Sequence, residues 1–102
     1  MHLLQILLPV RDNDGRPFPP SHYHQVGKEL AQEFHGLTAY TRAPAEGLWE
    51  DSENTIEKDD IVIFEVMLYE LDEAWWRNYK ISLQALFSQN EIVIRLQDIR
   101  LL

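Results

Sequence analysis

Ile61-Val62-Ile63-Phe64-Glu65-Val66-Met67-Leu68-Tyr69 is the longest apolar run in the chain, and Glu65 is its only charged residue. β-Branched and aromatic residues dominate it, and a polar, turn-like segment precedes it. That pattern reads as a strand with apolar residues on both faces. Alternate side chains of a strand point to opposite sides. Val62, Phe64, Val66 and Leu68 therefore form one apolar set. Ile61, Ile63, Glu65, Met67 and Tyr69 form the other, with a charge at its centre, where burial is costly unless the charge is paired or wetted.

A second strand of the same kind opens the chain. Over residues 2 to 10, Leu4, Ile6 and Leu8 fall on one side and Leu3, Gln5 and Leu7 on the other, and Pro9 ends the strand. Arg11-Asp12-Asn13-Asp14-Gly15-Arg16-Pro17 follows, dense in turn formers. Its Asp-x-Asp-Gly spacing lacks the further oxygen ligands and final glutamate of a calcium loop. Pro19-Pro20-Ser21 opens a helix, with Tyr23, Val26, Gly27, Leu30, Ala31 and Phe34 on one stripe. Gly27 in that stripe predicts close approach to the sheet, and Gly36 predicts the stop. Leu37 to Ala43 reads as the next strand.

After the central run, Asp72 is a plausible N-cap for a second helix, with Glu73 at the positive end of its dipole. Trp75, Tyr79, Leu83 and Leu86 are spaced as its buried stripe, with Trp76 beside it and Phe87 at its end. Glu91 to Gln97 reads as the last strand, with Ile92, Ile94 and Leu96 on one face. The order β-α-β-(hairpin)-β-α-β predicts an α+β, ferredoxin-like fold: a four-stranded antiparallel sheet with two helices on one face. Its 102 residues allow one domain, 1–102, with an acidic hairpin insertion at about 44–60. Within that insertion Trp49 is an odd residue for a solvated arm and is expected to fold back or to pack on a second subunit.

If the helices cover Val62, Phe64, Val66 and Leu68, the other sheet face carries the rest. We expect there Leu3, Gln5 and Leu7, Tyr40 and Arg42, Ile61, Ile63, Glu65, Met67 and Tyr69, and Val93 and Arg95. Such a face is too apolar for water and marks an interface or a pocket. A second copy related by a two-fold axis would cover it most simply, giving a dimeric α+β barrel. Folding of the acidic hairpin over its own sheet is the alternative. Gln5, Tyr40, Arg42, Glu65, Met67, Tyr69 and Arg95 are the candidate ligand or interface residues, with Glu65 as a candidate base.

The remaining composition narrows the function by exclusion. No cysteine is present, so disulfides and thiolate chemistry are absent. Net charge is -8, and residues 46 to 60 hold seven acids against Lys58 alone. That balance argues against a phosphate-neutralising nucleic-acid surface. Met1 to Pro9 lacks a basic leader region and is too short to span a bilayer, which predicts a cytoplasmic protein with no membrane partner. His22 and His24 diverge by about 200° on a regular helix and cannot share one metal ion there. His22, at the helix start, stands as a lone candidate acid or base. No phosphate loop, nucleophile elbow or zinc motif is present, so no cofactor or metal is expected.

Phe34-His35-Gly36-Leu37-Thr38, then Gly47-Leu48-Trp49-Glu50-Asp51, then the helix with Tyr79 and Phe87 running into Gln89-Asn90-Glu91-Ile92-Val93, give the chain a resemblance. In their order and spacing they resemble small uncharacterised bacterial proteins with a ferredoxin-like pattern. The resemblance implies the fold and no activity. The leading expectation is a small homodimeric binding or interaction module without its own catalysis. The second is a cofactor-free enzyme of the dimeric α+β barrel type, acting on a small anionic or aromatic molecule.

Overall fold

The computed structural model describes the backbone of residues 1–34, 38–50 and 56–102, and the side chains of 1–34 and 61–102. The elements run β1 (His2–Pro9), α1 (Pro20–Phe34), β2 (Thr38–Glu50), β3 (Ile56–Leu68), α2 (Glu73–Leu86) and β4 (Val93–Asp98). The strand order is β2-β3-β1-β4, with every neighbouring pair antiparallel. β1 and β3 are thus central, as their two-sided apolar pattern demands. The α+β order and this strand sequence are those of the ferredoxin-like arrangement.

Burial follows the alternation of the two central strands. Leu4, Ile6 and Leu8 of β1 and Val62, Phe64, Val66 and Leu68 of β3 lie in the core. They meet Val26 and Leu30 of α1, Trp76, Tyr79 and Leu83 of α2, and Phe87 and Ile92 beyond it. Each such side chain contributes roughly 1.5–3 kcal/mol on full burial. Among the described residues no charged side chain is buried.

Two aromatic clusters join the helices at opposite ends. Phe34 at the end of α1 stacks on Trp76, with ring centroids 5.2 Å apart, and meets Trp75 edge-on at 5.0 Å. At the other end, Phe18 meets Phe87 edge-on at 5.0 Å, and Tyr23 lies 5.6 Å from the same ring. The start of α1 therefore adjoins the end of α2, and the end of α1 adjoins the start of α2. Such ring pairs add about 0.5–1.5 kcal/mol each beyond area burial.

Local signals account for the element ends. The Asp72 carboxylate accepts a hydrogen bond from the Trp75 backbone N–H at 3.1 Å, as an N-cap should. In the 11–17 loop, Asp12 Oδ1 accepts from the N–H groups of Asp14 (2.9 Å) and Arg16 (2.8 Å), and Gly15 takes a φ of 80°. The aspartate thus organises a turn, as expected. Gly27 lies over Phe64: a Cβ there would stand 3.4 Å from the ring's Cε1.

Three expectations are corrected. The α2 stripe is turned slightly: Trp76, Tyr79, Leu83 and Phe87 are buried, whereas Trp75 and Leu86 pack at the margin. Ala31, expected on the α1 stripe, is exposed. The second strand, expected to end at Ala43, runs on to Glu50, so the 44–60 hairpin continues β2 and β3. Its flanks belong to β2 and β3, each 13 residues long, with Trp49 opposite Glu57, Glu50 opposite Ile56 and an irregularity between Ala45 and Trp49. Gly36, and residues 51–55 between β2 and β3, lie outside the described residues.

The Tyr79 hydroxyl is buried without a hydrogen-bond partner among the described residues. Burial pushes its ionisation well above the usual phenol range, and the negative charge of Glu29 pushes the same way. Glu29 acts on the hydroxyl through its charge, without a hydrogen bond to it.

Three stability outcomes follow from these contacts. Asp72→Ala should cost about 1 kcal/mol, read as a fall in the thermal midpoint. Gly27→Ala should be tolerated and stabilise by up to about 1 kcal/mol, since helix propensity rises and the new methyl only touches Phe64. Tyr79→Phe should leave stability at neutral pH unchanged or higher, because it deletes an unsatisfied buried group. The folded state holds the Tyr79 proton more tightly than the unfolded state, whose reference value is 10.0. Its contribution is intact below that pH and falls as pH rises above it. Alkaline denaturation should therefore be less steep in Tyr79→Phe than in the wild type.

Candidate functional site

The candidate site is the sheet face turned away from the helices. Its floor is set by register. Gln5 pairs with Glu65 on one side and with Arg95 on the other, so the three residues form one row across β3, β1 and β4. Leu3 and Met67 pair in the next row on one side, and Leu7, Ile63 and Val93 share the row on the other. On this face Leu3, Gln5 and Leu7 of β1 and Ile61, Ile63, Glu65 and Met67 of β3 are half-buried. Val93 is 47% exposed, and Arg95 lies open at the β4 edge.

The charge at the centre is answered within the chain. Gln5 Nε2 donates to Glu65 Oε1 at 2.8 Å, a part-buried hydrogen bond. One carboxylate oxygen is thereby engaged. Arg95 has no ion-pair partner among the described residues, although it stands only one strand beyond Gln5. A carboxylate fixed by an amide, with a guanidinium two strands away, suits polar recognition. By itself it provides no paired acid and base.

Several expected members of the site are placed elsewhere. Tyr40 is the register partner of Phe64, and Arg42 that of Val62, so both belong to the helix-side rows. Ala39, Thr41 and Ala43 are the β2 residues in register with Glu65, Ile63 and Ile61. The error lies in strand parity: a strand's alternation fixes two sets but not which set joins a neighbour's face. Tyr69 lies past the end of the ladder and is 78% exposed, so it stands apart from the row. Trp49 is placed opposite Glu57 in backbone register, and its side chain lies outside the described residues.

His22 is half-buried rather than free in solvent. Its ring lies 5.7 Å from Phe18 and 5.6 Å from Phe87, within the aromatic cluster. Packing there gives it a structural role and keeps it away from Glu65. His2 pairs with Asp98 at 2.7 Å, across the outer β1–β4 register. No group of three or more potential metal ligands occurs among the described residues. No helix among them is long and apolar enough to cross a membrane.

Sequence reasoning missed a cleft on the opposite side of the sheet. It has a volume of about 640 Å³ and lies between the first half of α1, the 10–20 loop and β3. The available signal was Gly27, a gap in an otherwise bulky stripe directly over Phe64.

No family model matches the chain, and no curated protein matches it. Solved structures do. A phage SAM lyase in complex with S-methyl-5'-thioadenosine aligns with a TM-score of 0.64 at 10% identity, over 95% of this chain and 80% of that one. CutA1 from Pyrococcus horikoshii aligns with a TM-score of 0.58 at 18% identity, over 100% of this chain and 86% of that one. CutA from the same organism, crystallised in the presence of guanidine hydrochloride, gives 0.57 at 17% identity, over 100% and 87%. At such identities the likeness is one of fold, and it extends over essentially the whole chain.

Proposed function

We propose that this protein is a self-associating interaction module whose uncovered sheet face is the contact surface. The observation that carries the reading is the row Glu65–Gln5–Arg95 set among Leu3, Leu7, Ile61, Ile63, Met67 and Val93. An apolar surface of that extent around a polar centre is characteristic of an interface.

The arrangement of charge in the row favours a second copy as the occupant, related by a two-fold axis. Take an axis that runs along β1, midway between two facing sheets. It exchanges the strands on either side of β1, so β3 of one copy lies over β4 of the other. Glu65 then faces Arg95 of the second copy, and the reverse pair forms by symmetry. Facing sheets stand about 10 Å apart, a distance that a glutamate and an arginine span together. The two Gln5 residues meet near the axis. The result is a homodimer of the dimeric α+β barrel type.

Catalysis on this face is the weaker reading. With Tyr40 and Arg42 in the helix-side rows, the polar side chains described on the strands of this face are Gln5, Glu65, Arg95 and Gln97, and one Glu65 oxygen is already engaged by Gln5. The phage SAM lyase carries a bound S-methyl-5'-thioadenosine, so this fold is compatible with a small-molecule site. Nothing in the open-face row resembles a paired acid and base.

Light scattering on the size-fractionated protein at micromolar concentration should give twice the 12.0 kDa chain mass. Arg95→Glu should weaken association by about 100-fold or more, since it places two carboxylates together at each of two contacts. The double variant Glu65→Arg with Arg95→Glu should recover most of the loss. A single species of chain mass would sink self-association. A mass of three chains, or a dimer indifferent to Arg95→Glu, would retain self-association and remove the two-fold contact described here.

A further inference from the structure

The α1–β3 cleft lies on the helix side of the sheet, away from the face assigned to self-association. We infer that it is a binding site for a small flat aromatic anion, such as an aromatic carboxylate. About 640 Å³ falls within the usual range for small-molecule pockets. The space accommodates roughly ten to twenty non-hydrogen atoms with their share of water.

The lining fixes the class of ligand. Val10, Phe18, Val62 and Phe64 supply apolar and aromatic walls. Gly27 lines the cleft with no side chain of its own, so a planar group can lie beside the point where the helix backbone passes closely over Phe64. Among the described residues the basic groups at the rim are His24 and Lys28. They stand four residues apart on α1, hence on one side of the helix, and both are exposed. Neither has an ion-pair partner among the described residues. An unpaired lysine at the mouth of an apolar cleft, in a chain of net charge -8, selects an anionic tail on an aromatic body.

The walls are held in place before any ligand arrives. The Tyr23 hydroxyl donates to the Pro9 carbonyl at 2.7 Å, tying α1 to the end of β1. The Phe18 backbone N–H donates to the Val10 carbonyl at 3.0 Å. The Phe18 ring is pinned against Phe87. A cleft with fixed walls loses little entropy on binding, which is what a small ligand needs.

The test is a titration of the isotope-labelled protein, followed by amide chemical shifts, with naphthoate and with the uncharged naphthalenemethanol as probes. Naphthoate should bind saturably with a Kd below about 1 mM. Its largest shifts should fall on Val10, Phe18, Tyr23, Gly27 and Lys28. Lys28→Gln, an exposed and structurally mild change, should weaken naphthoate about fivefold and leave naphthalenemethanol within about twofold. Gly27→Leu, if its thermal melt shows a folded protein, should block both probes. Failure to saturate by about 10 mM would overturn the inference. So would shifts centred on Leu3, Gln5, Leu7 and Ile63, or an equal loss of both probes in Lys28→Gln. Because these readouts lie on α1 and the 10–20 loop, they stand or fall apart from the oligomeric state.

Discussion

The β1–β3 ladder is the constraint on which the rest of the molecule depends. Every residue from His2 to Pro9 has a partner in β3, and the register sets Gln5 opposite Glu65. The side-chain period of a strand is two, so a slip of one residue exchanges its faces. Here a slip of β3 would turn Glu65 into a core built of Leu30, Leu83 and Phe87, and turn Phe64 out. An unpaired charge in such a core costs several kcal/mol. The correct register instead gives Glu65 an amide partner at 2.8 Å on a face that water or a second chain can reach. The one charged residue in the longest apolar run therefore specifies the sheet as well as marking its outer face.

Once the ladder is fixed, the helices have little freedom. Their apolar stripes must cover Leu4, Ile6, Leu8, Val62, Phe64 and Val66, and the two aromatic clusters align them antiparallel. Both crossovers therefore lie on one side, and the other side has no layer of its own within the described residues. The close pass of Gly27 over Phe64 belongs to the same geometry. It brings α1 down onto β3 at one point and leaves the cleft beside it, so the cleft is a product of how the helix is seated.

Much of this was legible in the residues, and the misses have identifiable physical causes. The alternation in β1 and β3 gave the core face, Asp72 gave the start of α2, and Gly27 gave the close approach. Tyr40 and Arg42 were misplaced because both sets of β2 residues are mixed in character. Only pairing with β3 decides which set joins which face. The length of the β2–β3 hairpin was hidden because Pro44, Gly47 and the acids read as loop, whereas edge pairing tolerates them. Trp75 and Trp76 are adjacent, and a stripe of 3.6-residue period does not choose between them until Phe34 stacks on one. His22 reads as polar by type, yet its flat ring packs well against Phe18 and Phe87.

The distribution of charge reconciles an acidic chain with two anion-seeking positions. Six of the eight net negative charges come from residues 46 to 60, at the far end of the β2–β3 hairpin sequence. Fields between exposed charges fade over about 8–10 Å at physiological salt. A polyanion senses the whole surface and is disfavoured by the net charge. A single carboxylate senses only its neighbours. At the β4 edge the neighbour is Arg95, with no ion-pair partner among the described residues. At the mouth of the α1 cleft it is Lys28, in the same condition. Net charge therefore opposes a polyanion while leaving both proposed sites open to one carboxylate at a time: the Glu65 of a second copy on one side of the sheet, and a small aromatic acid on the other.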